Sequence, residues 1–320
     1  MLEIDPELID KIKKADEKIR QKYDHSTKTR DIIRQKLTES NGVFRQMERW
    51  GNQTLSSWLA GREVGAVDGS VNQTKGDPPH VLYFFQALAK TLQGTTCVKT
   101  DVYTPLLDEK VEGEEKVEPV KWRAHLLSKL ELQAATELIT KTNVAILLMD
   151  GALYHYRIDA PDQWETLRSL ALEKGVLLVG ISEEITTQNL VSLSPFSQFL
   201  KRPSHYDRDF LFGVLNKGET IYVEDIQQKA GLRSVWMRAG SSPAITGFDM
   251  LEEQAKDMNL VADFLYTLTP EEGRGIPLWL DVIDKDVRIT DKLVDALVEQ
   301  YVDPEMKQRF FVRKRQERLY

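Results

Sequence analysis

Apolar and polar positions change their period several times along the chain, and each change predicts an element. No Gly or Pro intervenes between Glu7 and Asn41, and Leu8, Ile9, Ile12, Ala15 and Ile19 recur at helical spacing. This predicts helix over residues 6–50. From Glu63 the texture is that of strands: "EVGAVDGSV" and "TCVKTDVYTPLL" read as strands, and "HVLYFFQALAKTL" fits a strand or a buried helix. "DEKVEGEEKVEP" reads as a charged loop or hairpin tip. Residues 121–141 predict the clearest helix, with Leu126, Leu127, Leu130, Ala134, Glu137 and Leu138 along one stripe. "NVAILLMDGAL" then reads as a strand buried on both faces, "DQWETLRSLALEKG" as a helix closed by Gly175, and "VLLVGIS" as another buried strand.

This alternation predicts an α/β domain from about residue 60 to 190. In the second half "GETIYVED" and "SVWMRAG" read as strands, and "DMLEEQAKDMNLVADFLYTLT" as a helix. After the turn "PEEGRGIP" a final helix is expected from Trp279 to Gln300. No Pro/Gly-rich linker separates the halves, so the second should pack onto the first.

Composition narrows the function. With 320 residues, 41% hydrophobic and 29% charged, the chain can bury a substantial core. The longest apolar run, Val144 to Met149, is too short for a bilayer, and the acidic N-terminus lacks the apolar core of a signal peptide. Cys97 is the only cysteine, which excludes an intramolecular disulfide or a cysteine-based metal site. A cytoplasmic protein with no membrane partner is expected. The formal charge of −7 gives no general polyanion surface, so any nucleic-acid contact must be local. Residues 11–36 carry ten Lys/Arg against four Asp/Glu, and the C-terminal "KQRFFVRKRQERLY" is basic. Both fit a nucleic-acid surface, and both equally fit solvated charge.

Two acids stand out. Asp68 in "AVDGS" and Asp150 in "LLMDGAL" each follow an apolar strand and precede Gly. Strand-end side chains are fixed in place, and Gly permits a sharp turn or close approach of a ligand. Two carboxylates on neighbouring strands repel, and a hard divalent cation is the usual resolution. Glu131, on the intervening helix, could complete a site for one or two ions acting on a phosphodiester. A haloacid-dehalogenase-type phosphatase is disfavoured because Ala66 occupies the place of its first acid. An actin-like or sugar-kinase-like ATPase survives only through a loose match to "VDGS". A G-x-x-x-x-G-K-S/T loop is absent.

The ordered set "AVDGS", "KLELQAATEL", "AILLMDGAL" and "GIPLWLDVIDKDVRI" resembles the NurA nuclease family, from about residue 60 to 300. The resemblance implies an α/β fold: an RNase H-like mixed sheet flanked by helices, with N-terminal and C-terminal helical additions. The implied organisation is a helical extension over 1–60, a nuclease domain over 61–300 with its core at about 61–190, and a basic tail over 301–320. Position by position, Asp68 and Asp150 match metal-binding acids. Glu131 matches the helical acid, with Glu137 as competitor. Asp284 fits the C-terminal ligand, with Asp281 one turn earlier on the same face as the alternative. Ser70, Arg238, Arg313, Lys314 and Arg315 are candidate phosphate or DNA contacts. His155 could reach the site, although a supporting role suits it better.

The resemblance further implies a manganese- or magnesium-dependent deoxyribonuclease, holding two ions, with 5′-to-3′ exonuclease and single-strand endonuclease activity in DNA end processing and repair. Its partners would be DNA, a HerA-type hexameric translocase and a second copy of the chain in a homodimer. One departure matters. The family often has a Lys shortly after the strand matching "LLVGIS", where this chain has Glu183 and Glu184. Either Arg238 supplies the basic contact or activity is altered. The latter would make the chain a non-catalytic subunit that binds DNA or the ATPase.

Overall fold

The computed structural model describes residues 4–23, 27–107, 119–199 and 206–311. In chain order the strands are β1 (Val43–Gln46), β2 (Glu63–Gln73), β3 (Tyr83–Thr91), β4 (Thr96–Tyr103), β5 (Val144–Asp150), β6 (Leu177–Ser182), β7 (Glu219–Tyr222), β8 (Gln228–Lys229), β9 (Leu232–Arg238) and β10 (Thr246–Leu251). The helices are α1 (Pro6–Tyr23), α2 (Thr27–Glu39), α3 (Asn52–Leu59), α4 (Pro119–Lys141), α5 (Leu153–Asp159), α6 (Pro161–Lys174), α7 (Asp207–Leu211), α8 (Glu224–Gln227), α9 (Met258–Leu268), α10 (Leu278–Val287), α11 (Asp291–Tyr301) and α12 (Pro304–Met306).

Strand alternation decides the centre. In β2, Val64 and Ala66 bury on one side of the sheet and Val67 on the other. β5 runs parallel beside it with Val67 opposite Met149, and β6 runs parallel beyond, with Asp150 opposite Ile181. β3 and β4 extend the sheet antiparallel on the other flank. The resulting order β4-β3-β2-β5-β6 is the RNase H-like arrangement. The second half continues the same sheet: β10 joins β6, followed by β9, β7 and β1, with β8 beside β9.

Two layers cover this sheet. On one side, Val67, Leu147, Met149 and Leu178 pack with Leu130 and Leu138 of α4 and with Trp164 and Leu167 of α6. On the other, Ala66, Ile146, Leu148, Val179 and Ile181 meet Phe264 of α9 and Leu280 and Ile283 of α10. A third cluster joins Ile33 and Leu37 of α2 to Phe210, Leu211 and Ile221. The apolar stripe of α1, by contrast, is exposed at Leu8, Ile9, Ile12 and Ile19. No described helix is long and apolar enough to cross a membrane.

Four expectations change. Residues 43–46 are a strand, because Val43–Gln46 pair antiparallel with β7. "TGFDML" is a buried strand between β6 and β9, so the helix expected from Asp249 becomes a 3-10 helix at Glu252–Asp257 followed by an α-helix from Met258. The final helix is two, since Arg288 is extended (φ −62°, ψ 119°) and the Thr290 side chain caps α11 by accepting the Leu293 N–H. Finally, Asp68 does not end its strand, because β2 continues to Gln73 opposite β3. "HVLYFFQALAKTL" resolves as strand β3. The charged loop at 108–118 lies outside the described residues.

Candidate active site

The site starts from the parallel pair β2 and β5. Val67 sits opposite Met149, so Asp68 and Asp150 follow at one level on adjacent strands. Alternation turns Asp68 to the same side as Ala66, towards the layer of α9 and α10. The Gly69 N–H donates to Asp68 Oδ1 at 2.7 Å and holds the carboxylate. Burial pushes the Asp68 carboxyl up to about 7, the charge of Asp150 adds to this, and the Gly69 N–H and Arg274 oppose it. Burial also raises Asp150, to about 6, with Glu183 adding and Arg274 opposing. These carboxylates resist ionising side by side.

Glu131 reaches the pair from the opposite layer. It lies on α4 and is buried, and its carboxylate occupies the space where a Cβ on Gly69 would stand. Gly69 thus admits the acid of one layer to those facing the other. Burial lifts Glu131 to about 8, opposed by a hydrogen bond from the Tyr156 hydroxyl and reinforced by Asp68 and Asp150. Tyr156, buried on α5, also donates to the Asp150 carbonyl at 3.1 Å. Its single proton serves one of these two acceptors at a time. Gly151 turns the chain at φ +118°, and α5 follows.

The third side is α10. Asp284 is near enough to raise both Asp68 and Asp150, and its carboxylate pairs with Arg288. Asp281, one turn earlier, raises Asp150 and is held by Arg274. Arg274 also donates to Glu183 Oε2 at 2.9 Å. Asp286 instead pairs with Lys90 at 2.7 Å.

Partly buried, mutually repelling carboxylates have the donor chemistry of a site for hard divalent cations. Among the described residues, no group of three His, Cys, Asp or Glu side chains is arranged to close around an ion. The oxygens fit in kind, with Glu131 buried and Asp68 and Asp150 half-buried.

Other candidates fall elsewhere. Glu137 lies on the exposed surface of α4, paired with Lys99 and Lys141, so the structure brings Glu131 rather than Glu137 to the acids. Ser70 Oγ accepts the Ile289 N–H at 3.0 Å and ties β2 to the segment after α10. Arg238 donates to the carbonyls of Ser242, Leu215 and Ser241 at 2.8, 3.0 and 2.9 Å, holding the loop after β9. His155 is exposed, and its neighbour Tyr156 faces the site instead. Glu184 pairs with Arg208. Arg313, Lys314 and Arg315 lie outside the described residues. Two cavities of about 370 Å³ are lined by none of these acids.

Three residues were missed by sequence reasoning. Tyr156 was hidden beside the more conspicuous His155. Arg274 carried a signal, since two glycines flank it in "EGRGIP". Asp249 sits in buried β10, where it accepts the Leu153 N–H at 3.0 Å and braces the turn after Asp150. Burial pushes its carboxyl up to about 7, against hydrogen bonds from the Leu153 and Tyr154 backbone. An acid within the apolar run "ITGFDML" was its signal.

Comparison with known proteins completes the picture. The family profile described as NurA domain matches residues 62–289. The NurA nuclease from Sulfolobus solfataricus is similar with a TM-score of 0.57 at 14% identity, over 92% of this chain and 96% of that one. A second solved structure, described as NurA, gives 0.51 at 10% identity, over 95% of this chain and 100% of the other. At such identities the structural likeness speaks to the fold alone. No curated protein sequence matches the chain.

Proposed function

The chain belongs to the NurA family, and on that premise we propose that it is a divalent-metal-dependent deoxyribonuclease that hydrolyses phosphodiester bonds at the Asp68–Asp150 pair. The observation carrying this reading is the convergence of Asp68 and Asp150 on adjacent parallel strands with Glu131 from one layer and Asp284 from the other. Asp68 and Asp150 would hold manganese or magnesium, with Glu131 and Asp284 completing the set and Asp281 as the alternative. Bound there, such ions would supply charge neutralisation and Lewis acidity at a scissile phosphate. The protein's part is positional: the sheet fixes Asp68 and Asp150, and Gly69 admits Glu131.

The finer reading comes from the family. It comprises 5′-to-3′ exonuclease and single-strand endonuclease activity in DNA end processing, a HerA-type hexameric translocase as partner, and a homodimer; residence in the cytoplasm is the reading of the composition. The exposed Val98 and Val102 on edge strand β4 suit a self-associating surface.

The test is end-labelled single- and double-stranded DNA incubated with manganese, magnesium or chelator, beside Asp68→Asn. Degradation that needs metal and is lost in the variant is the expected result. A wild type that stays inert with every metal, even with the translocase present, would leave a DNA- or ATPase-binding subunit.

A further inference from the structure

Arg274 is a cation placed among carboxylates, and its backbone shows that the placement is built. It stands between Gly273 (φ +135°) and Gly275 (φ +79°), conformations that L side chains rarely adopt. The base of this loop is anchored: Thr246 Oγ1 donates to the Gly275 carbonyl at 3.0 Å, and a Cβ at Gly240 would lie 3.5 Å from Gly275 Cα. The guanidinium donates through Nε to Asp281 Oδ1 at 3.0 Å and through Nη1 to Glu183 Oε2 at 2.9 Å, and Nη2 also donates to Asp281.

These contacts use at least three of the five guanidinium N–H groups, and Nη1 also lies 2.9 Å from Glu183 Oε1. Among the described residues Nη2 donates only to Asp281, which leaves it a second N–H, and the side chain is 46% exposed. An arginine that served only to bind neighbouring carboxylates would have no need of a free donor beside the acid pair. A phosphodiester entering this cluster meets several negative charges, and Arg274 is the cation that acts on both Asp68 and Asp150.

We infer that Arg274, gripped by Glu183 and Asp281, contacts a non-bridging phosphate oxygen of nucleic acid bound at the acid pair. Glu183 and Asp281 are then positioning residues for the guanidinium, which takes Asp281 out of the metal-binding set. The inference rests on the nuclease reading for its substrate but makes a separate claim, that the unused donor of Arg274 binds phosphate. A planar fork suits phosphate better than a point charge does, so lysine should substitute only partly.

The experiment compares wild type, Arg274→Gln, Arg274→Lys and the charge-balanced pair Glu183→Gln/Arg274→Gln. Binding of a fluorescent single-stranded oligonucleotide is followed in chelator against salt, and hydrolysis with manganese is followed in parallel. Arg274→Gln should weaken binding about tenfold or more, and the slope of log affinity against log salt should fall by about one. Hydrolysis should fall at least as far, with Arg274→Lys intermediate. The charge-balanced pair should stay as impaired as Arg274→Gln, since net charge is restored and the contact is not.

Recovery of binding in that pair would overturn the inference and reduce Arg274 to a neutraliser of local charge. Unchanged binding in Arg274→Gln would overturn it outright. If wild type binds through Arg274 yet never cleaves, the phosphate contact stands and the nuclease reading falls. If wild type cleaves and Arg274→Gln cleaves equally, only this inference falls.

Discussion

Asp68-Gly69 and Asp150-Gly151 are nearly the same in sequence and opposite in construction. Gly151 has φ +118°, ends β5 and starts the turn into α5, and a Cβ there would meet nothing closer than the Tyr156 hydroxyl at 3.9 Å. Gly69 lies within a strand that continues to Gln73, and a Cβ there would strike the Glu131 carboxylate and the Leu127 side chain. One glycine serves backbone conformation, the other vacant space. The same dipeptide thus places two acids side by side by turning the chain at one and by admitting a third acid at the other.

The largest expected effect tests what the two units share. Asp68→Asn and Asp150→Asn should each reduce hydrolysis by more than roughly 100-fold, since even residues supporting a metal ligand cost 10- to 100-fold. The melting temperature in chelator at pH 8 should not fall for Asp68→Asn, because the lost carboxylate is one that burial and Asp150 hold at about 7. Labelled-DNA cleavage and thermal melts check this. Retained cleavage in either variant would mean that the pair is not the reacting centre.

The next effect separates the units. Gly69→Ala drives a methyl group into Glu131 and Leu127, at a cost of roughly 1–3 kcal/mol of overpacking. It should also cut hydrolysis by roughly tenfold or more, as Glu131 is displaced. Gly151→Ala imposes backbone strain of roughly 1–3 kcal/mol and should leave hydrolysis closer to wild type when assayed well below its melting temperature. Adding Glu131→Ala to Gly69→Ala should recover part of the stability and none of the activity. Equal activity losses in the two alanine variants would show that space and conformation matter alike at both.

The difference between the units also marks what the sequence could reveal. Apolar runs made Asp68, Asp150 and their parallel strands legible, because burial on both faces leaves a continuous signature. The α4 stripe located Glu131 and Glu137 on one helix. Choosing between them needed the helix's rotation, which places Glu137 beside Lys99 on β4. The second half was harder. "TGFDML" is too short and too mixed to distinguish a strand from a helix start, and pairing on both sides with β6 and β9 decided it. Arg274 depends on a loop conformation, for which periodicity offers no signal.

The pH dependence concerns the second unit. Asp249 braces the turn after Gly151, and its carboxyl is raised from an ordinary value of 3.8 to about 7, chiefly by burial. Between those values the folded protein holds a proton that the unfolded chain has released. Stability from this group is therefore full below about pH 4 and is lost as pH rises through about 7, by an amount of order a few kcal/mol. Asp249→Asn keeps an oxygen for the Leu153 N–H and removes the titration. Its melting temperature in chelator should decline less than that of wild type between pH 5 and pH 8. Parallel curves for the two proteins would show that Asp249 does not carry a raised value.

The smallest effect lies where the two units meet. Tyr156 touches the second unit through the Asp150 carbonyl and the first through Glu131, which lies against Gly69. Tyr156→Phe preserves the buried ring and deletes one hydroxyl, so stability should fall by about 1 kcal/mol, the usual worth of a hydrogen bond. Hydrolysis should fall a fewfold, because Glu131 loses a donor while Asp150 remains fixed by its strand. Combined with Gly69→Ala, the hydroxyl deletion should cost little further activity, since both act through Glu131. A double-mutant cycle on cleavage rate measures this, and fully additive losses would mean that Tyr156 acts on Asp150 instead.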